Sequence, residues 1–75
     1  MGVKIPVNRA RAGDFTVVPG IGPALAGRIV VTRNEMGGFS SLEELVKVPG
    51  IGPKRLQVLK RYLTINSSEN RVVPP

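Results

Sequence analysis

The 75-residue chain contains no cysteine and no histidine, and these absences exclude most of the chemistry common in small proteins. Without cysteine there is no disulfide framework and no thiolate metal site. Without histidine, the commonest general base and the commonest metal ligand are both missing. The five acidic residues offer no acid–base dyad for catalysis: the adjacent Glu43 and Glu44 point about 100° apart on a helix. We therefore expect no enzyme, no catalytic residues and no cofactor.

Negative charge and long apolar runs are also scarce. Asp and Glu total 5 against 11 Lys and Arg, which gives a formal net charge of +6 and a pI near 10.9. Such a balance predicts an acidic partner, with nucleic acid first and an anionic membrane second. The longest apolar runs fall far short of the roughly 18 residues of a membrane-spanning helix. We expect no signal peptide or anchor, and a single small domain.

What the sequence does contain is a repeat. Val-Pro-Gly-Ile-Gly-Pro occurs at 18–23 and again 30 residues later at 48–53. The correspondence continues into the flanking apolar residues, where Phe15 aligns with Leu45 and Ile29 with Leu59. A period of this length marks a duplicated supersecondary unit.

Apolar spacing on both sides of each hexapeptide predicts helix, sharp turn, helix. We expect an extended segment at 1–7, then helices from about Asn8 to Val17, from about Pro23 to Met36, from the Ser40-Ser41 cap to about Val48, and from Pro53 to about Tyr62. The predicted fold is all-α: four short helices form two helix-hairpin-helix motifs related by pseudo-two-fold symmetry, in a SAM/HhH2-like bundle. The tandem domain is expected at 8–65, with copies at about 8–37 and 40–65, and a flexible tail at 66–75.

The turns at 18–22 and 48–52, hereafter the first and second hairpins, carry the chemistry. Their glycines permit positive φ and close approach of another backbone, and Ile21 and Ile51 are expected to point inward. Pro23 and Pro53 suit the first position of a helix. Each turn leaves unbonded amides at a helix N-terminus, which favours an anion the size of a phosphate. A single such turn is equally well explained as a joint between helices, but two unchanged copies favour the binding site.

Cations distinguish the two copies. Lys54 and Arg55 follow the second hairpin directly, at the start of a helix, where the helix dipole disfavours positive charge. An anion docked there would explain them. The first copy has Ala24 and Leu25 at these positions, and Arg28 is its nearest charge, so we expect two unequal sites.

The chain resembles the tandem helix-hairpin-helix DNA-binding domains of the competence protein ComEA type, over more than four-fifths of its length. The segments that carry the resemblance, beside the two Pro-Gly-Ile-Gly-Pro turns, are Val7-Asn8, Leu25-Ala26-Gly27-Arg28-Ile29, Arg33 through Gly38-Phe39, Leu42-Glu43-Glu44-Leu45 and Thr64-Ile65. The chain departs from the family pattern at Gly13, Phe15 and Met36, positions that affect helices rather than hairpins.

The resemblance implies binding of double-stranded DNA without sequence preference, by two hairpins that grip the backbones flanking a minor groove. The implied DNA-binding residues are Gly20, Ile21, Gly22, Ala24, Leu25, Arg28, Gly50, Ile51, Gly52, Lys54 and Arg55. It further implies a monovalent cation site at the carbonyls of Thr16, Val18 and Ile21, and another at those of Val46, Val48 and Ile51.

The biological setting implied by the resemblance is DNA uptake in competence, at the cell surface or in the periplasm, by a monomer with no small-molecule substrate. Two alternatives stay open. Tandem hairpins also occur in an extrinsic subunit of photosystem II, a structural protein-protein module, and in the targeting domains of DNA-repair enzymes. Retention of duplex DNA at low salt separates the first alternative from DNA binding.

Overall fold

The computed structural model describes residues 4–65, and within them the chain is mostly helical with one small sheet. Residues 1–3 and 66–75, and with them the predicted tail, lie outside the described residues. The elements in chain order are strand β1 (Ile5–Pro6), helix α1 (Ala12–Phe15), helix α2 (Pro23–Met36), a 3₁₀ helix (Leu42–Lys47), helix α3 (Pro53–Leu59) and strand β2 (Leu63–Thr64). The prediction of four short helices is confirmed, and the sheet is an addition to it.

The core follows the repeat. In five pairs of equivalent positions, both members are buried, with exposed fractions of 5% or less. These pairs are Phe15 with Leu45, Val18 with Val48, Ile21 with Ile51, Ala26 with Leu56, and Ile29 with Leu59. The inward direction predicted for the two isoleucines is confirmed. Burial on this pattern explains why the apolar spacing is the same in both copies.

Helix α1 is much shorter than predicted, and its start differs. The N-cap residue is Arg11, not Asn8, and the Arg11 amide donates to the Asp14 carboxylate at 2.9 Å. Before it, the amides of Arg9 and Ala10 both donate to the Pro6 carbonyl, which makes residues 7–9 a turn. Gly13 inside α1 lowers its helix propensity, so little favours extension in either direction.

Asn8 is used elsewhere, as a clamp between distant segments. Its side-chain oxygen accepts from the Phe39 amide at 2.7 Å, and its nitrogen donates to the carbonyls of Phe39 at 2.9 Å and Ile65 at 3.3 Å. Gly38, at φ 107°, gives the connector the conformation this contact needs, since a methyl group there would lie 3.4 Å from the Asn8 oxygen. The side chain thus ties the N-terminal segment to the connector and to the end of the described chain.

Helix α2 has the predicted bounds, whereas α3 stops earlier than predicted. Gly37, at φ 75°, ends α2, and the Gly38 amide donates to the Arg33 carbonyl at 2.8 Å. After α3, the Tyr62 carbonyl accepts the Ile5 amide at 2.8 Å, and β2 runs parallel to β1 with Ile5 opposite Leu63. Leu63 is fully buried on this strand.

The third predicted helix is a 3₁₀ helix, and the hydrogen bond at its start involves both serines of the predicted cap only through their backbone or not at all. Ser41 is the N-cap residue but makes no side-chain capping hydrogen bond. The Glu44 carboxylate accepts instead from the amide of Ser40, at 2.6 Å. In the described part of the chain, none of the helices is both long enough and apolar enough to cross a bilayer.

Candidate nucleic-acid interface

The two hairpins have the same backbone geometry. Gly20 and Gly50 adopt φ of 91° and 103°, in the left-handed region that L side chains rarely adopt. In each turn the following isoleucine amide donates to the valine carbonyl three residues back, at 3.0 Å in both copies. The duplication seen in the sequence is therefore a duplication of structure, and Gly20 and Gly50 are required by the turn itself.

Gly22 and Gly52 differ from the first pair of glycines. Their φ values are −91° and −103° with extended ψ, a conformation open to any residue, so these two glycines do not use the positive φ that glycine permits. A methyl group added at either position would meet no protein atom within 4 Å. Neither backbone strain nor internal packing accounts for glycine here.

Each hairpin leads into a helix whose first amides are unbonded. The first bond at the start of α2 runs from the Ala26 amide to the Gly22 carbonyl at 2.9 Å, and its equivalent at α3 runs from Leu56 to Gly52, also at 2.9 Å. Amides that donate to no acceptor within residues 4–65 are those of Gly20, Gly22, Ala24 and Leu25 in the first copy, and of Gly50, Gly52, Lys54 and Arg55 in the second. All of these residues are exposed except the half-buried Leu25. Together, the eight unbonded amides of the two hairpins form a surface that can bind anions.

Ile21 and Ile51 have a different place in the hairpins. Their side chains are only 4% exposed and their amides are already bonded inside the turns. They support the hairpins from within, while the glycines and the first helical residues form the outer surface.

The two hairpins lie side by side on one face of the domain. The Arg55 guanidinium, from the helix after the second hairpin, donates from Nη1 to the Gly20 carbonyl of the first at 2.8 Å. In the opposite direction, Arg28 Nη1 lies 3.4 Å from the Pro49 carbonyl of the second hairpin. Each of these contacts spans a single arginine side chain. The two turns therefore lie next to each other, with their glycines away from the core.

Shallow grooves border the pair of hairpins, and they too follow the repeat. Their shared positions are Pro19, Lys54 and Val58 in one groove, and Pro49, Ala24 and Arg28 in the other. The first groove has the exposed cation Lys54 where the second has Ala24, and the second has the cation Arg28 where the first has Val58. The inequality of the two sites stays a prediction.

Three of the acidic residues make structural contacts. Asp14 and Glu44 accept backbone amides, and Glu43 forms an ion pair with Lys60 at 2.8 Å between the 3₁₀ helix and the end of α3. The hydrogen bond and positive charge of Lys60 lower the pKa of Glu43 below its ordinary value. Within residues 4–65, no cluster of three or more His, Cys, Asp or Glu side chains is positioned to hold a metal ion.

The carbonyls predicted to hold a monovalent cation lie around the same turns. Those of Val18 and Val48 already accept the hairpin amides, which leaves each one further lone pair. Cation binding at these carbonyls stays a prediction.

Arg33 is a further anchor that sequence reasoning did not single out. Its Nη1 donates to the carbonyls of Val7 at 3.2 Å and Ala10 at 2.5 Å, so α2 holds the turn that precedes α1. Together with Asn8, it fixes the ends of the fold on which the hairpins are built. No local pattern signals this role, because both contacts join residues more than 20 positions apart.

Comparison with known proteins gives one family. Residues 1–64 match the helix-hairpin-helix motif family. Among curated proteins, ComE operon protein 1 of Bacillus subtilis (strain 168) is 33% identical over 64 residues, which covers 85% of this chain and 31% of that protein.

Two further relatives are much larger than the part they share with this chain. Endonuclease/exonuclease/phosphatase family domain-containing protein 1 of Mus musculus is 31% identical over 67 residues, which is 89% of this chain and 12% of that protein. An uncharacterized protein of Neisseria meningitidis serogroup A is 36% identical over 67 residues, or 89% of this chain and 9% of its own length. The chain thus spans less than a third of each of these relatives.

Proposed function

The chain belongs to the helix-hairpin-helix family, and on that basis we propose that its two hairpins bind double-stranded DNA without sequence preference. In this proposal, the amides of the first hairpin hold phosphates of one strand, and those of the second hold phosphates of the other. The two contacts flank a minor groove. The domain acts as a binding module.

The observation that supports this most directly is the pair Gly22 and Gly52. Both are extended, both face open space, and nothing within the described chain requires glycine at either position. A phosphate that approached the neighbouring unbonded amides would require it, since a side chain there would stand in the way. The same feature occurs at both hairpins, as binding to two backbones demands.

Charge supports the same partner. Arg28, Lys54 and Arg55 are exposed around the junction of the hairpins, so the face that offers the amides is also positive. Backbone amides and cations recognise phosphate but carry no sequence information. Sequence preference should accordingly be weak. A monovalent cation at the turn carbonyls, if bound, would add positive charge beside the same phosphates.

We place this activity in DNA uptake during competence, following the resemblance to ComEA-type domains, with the chain acting as a monomer. A second candidate is a targeting domain that brings an enzyme to DNA. It is favoured by the relative named as an endonuclease/exonuclease/phosphatase family protein, of which this chain covers 12%. Both candidates share the DNA-binding step and differ in what the rest of the protein does.

A titration of fluorescently labelled duplexes at several salt concentrations tests the proposal. If about four phosphates are neutralised, log K should fall against log salt with a slope of about −3 to −4, and equally for duplexes of unrelated sequence. Lys54→Ala combined with Arg55→Ala should weaken binding to all of them alike. Lys4→Ala, which removes one positive charge near the opposite end of α3, serves as a control and should have a smaller effect.

Two results would contradict the proposal. One is the absence of duplex binding at low salt, which would favour a structural protein-protein role. The other is a double variant at Lys54 and Arg55 that binds as tightly as the unaltered protein. Single-stranded DNA of equal length completes the comparison, because two fixed hairpins should prefer two backbones held at a constant separation.

A further inference from the structure

We propose that Arg55 is a positioning residue for the first hairpin, although it belongs to the second copy. Its side chain fixes the distance between the two turns, and thereby the distance between their unbonded amides. This inference rests on the proposed function, but its first test does not involve DNA. It differs from the expectation drawn from the sequence, in which the Arg55 cation was explained by an anion docked beside it.

The contact itself is specific. Arg55 Nη1 donates to the Gly20 carbonyl at 2.8 Å, across 35 residues of sequence. A methyl group added to Gly20 would lie 3.3 Å from the same Nη1 atom, so the guanidinium lies against the turn. The Arg55 amide stays unbonded, so the backbone and the side chain of this residue have separate roles.

The equivalent position in the other copy makes the equivalent contact. Leu25 aligns with Arg55, and its Cδ1 would lie 3.3 Å from a methyl group added to Gly50. Each of these side chains therefore reaches across to the left-handed glycine of the opposite hairpin. One copy makes the contact with an apolar group and the other with a hydrogen bond. The first copy has no charge at this position and still makes the contact. The role that both copies share is therefore to space the hairpins.

Arg28 reinforces the same junction from the other side. Its Nη1 lies 3.4 Å from the Pro49 carbonyl and 3.2 Å from where a methyl group on Gly50 would stand. The second hairpin is therefore held by Leu25 and Arg28 together, whereas the first is held by Arg55. The first hairpin should consequently be the more sensitive of the two to loss of its cross-contact.

Lys54 provides the matched control. It stands next to Arg55, it is exposed, and within residues 4–65 its side chain makes no hydrogen bond or ion pair. Lys54→Ala and Arg55→Ala remove the same charge from neighbouring positions. Only the second removes a contact to the first hairpin.

The first experiment uses the free protein and two-dimensional ¹H–¹⁵N NMR. Arg55→Ala should shift the amide resonances of Gly20, Ile21 and Gly22 and raise the hydrogen-exchange rate of Ile21, whose amide is bonded inside the turn, while Lys54→Ala should leave both observations unchanged. Arg55→Leu, which copies the first repeat, should restore slow exchange of the Ile21 amide in part. Unchanged resonances of residues 20–22 in Arg55→Ala would overturn the inference, whatever the protein does with DNA.

The second experiment measures duplex binding in a double-mutant cycle. Gly22→Asn places a neutral side chain in the first hairpin and is combined with Arg55→Ala or with Lys54→Ala. If Arg55 positions the first hairpin, its loss should weaken binding about fivefold beyond the effect of Lys54→Ala, and this excess should disappear once Gly22 is blocked. A simple phosphate contact would instead add fully to Gly22→Asn, as we expect for Lys54→Ala.

The two experiments separate the two proposals. If the unaltered protein fails to bind duplex DNA while the NMR shifts occur, the proposed function fails and the spacing role of Arg55 stands. If binding occurs but Arg55→Ala leaves residues 20–22 unchanged and is additive with Gly22→Asn, Arg55 is an ordinary phosphate contact and the inference is wrong.

Discussion

Placing a carboxylate at Gly22 or Gly52 should weaken DNA binding about a hundredfold and leave the fold slightly more stable. Both residues are N-caps with extended backbone, and the space in front of them is open within the described chain. Asp fits this conformation without strain and is among the preferred N-cap residues. Gly22→Asp and Gly52→Asp therefore change the outer surface of a hairpin without disturbing its interior.

The expected gain in stability is about 1 kcal/mol for each variant. A few tenths come from the better cap, and about 0.4–1 kcal/mol from the reduced freedom of the unfolded chain. A negative charge at a helix N-terminus adds a further 0.3 kcal/mol or so. In a domain of this size, such a gain raises Tm by about 4–8 °C.

The expected loss of DNA affinity is much larger. A carboxylate about 6 Å from a phosphate, at an effective dielectric constant of about 20, is repelled by nearly 3 kcal/mol. That corresponds to about a hundredfold weaker binding at low salt. The salt slope should also fall by about 0.9, because the new negative charge offsets one protein cation.

Thermal unfolding and fluorescence anisotropy with a labelled duplex measure the two effects separately. Asn34→Asp adds the same charge near the far end of α2, about 18 Å from Gly22, and should change affinity only slightly. Gly20→Ala is the opposite control, since a side chain at φ 91° should cost on the order of 1–2 kcal/mol of stability. If Gly22→Asp and Gly52→Asp both bind duplex as tightly as the unaltered protein, the amides behind them do not hold phosphate.

Three further perturbations test the fold that presents the hairpins. Ile29 is fully buried, so Ile29→Val should lower the free energy of unfolding by about 1 kcal/mol in urea denaturation, and an unchanged midpoint would show a less well packed core. Asn8→Ala removes three hydrogen bonds and should cost about 1–3 kcal/mol, against almost nothing for the exposed Arg9→Ala, and equal effects of the two would refute the clamp. Lys60 lowers the pKa of Glu43, so the ion pair stabilises the fold above the ordinary pKa of about 4.5 and this contribution is lost as pH falls through the lowered value. The stability difference between Lys60→Ala and the unaltered protein, measured by thermal melts, should accordingly disappear in acid, and a difference that grows in acid would contradict the assignment.

The features that could be predicted from the sequence are those repeated within it. The two hexapeptides predicted where the hairpins lie. The aligned apolar positions predicted the core, because equivalent residues of the two copies are both buried. Helix α2 could be bounded as well, since Pro23 and Gly37 carry strong start and stop signals.

The features that could not be predicted depend on contacts between distant residues. Strands of two residues give no periodic signal, so the pairing of Ile5 with Leu63 was invisible, and with it the early end of α3. Asn8 is of a residue type that often caps helices, and only the fold shows that its side chain binds the Phe39 amide instead.

The candidate site shows the same division. Sequence alone pointed to the glycines and to the cations after the second hairpin, and the structure brings them to one face. The sequence could not distinguish Gly20 from Gly22, because the two glycines differ in φ. It also could not reveal that the Arg55 side chain turns back onto the first hairpin.

The most direct test of the account is an NMR titration of the ¹⁵N-labelled protein with a short duplex. The account predicts that the amide resonances of the non-proline residues in 20–25 and in 50–55 shift together, with one saturation curve, because both hairpins hold the same duplex. Shifts confined to a different face, or to a single hairpin, would contradict it.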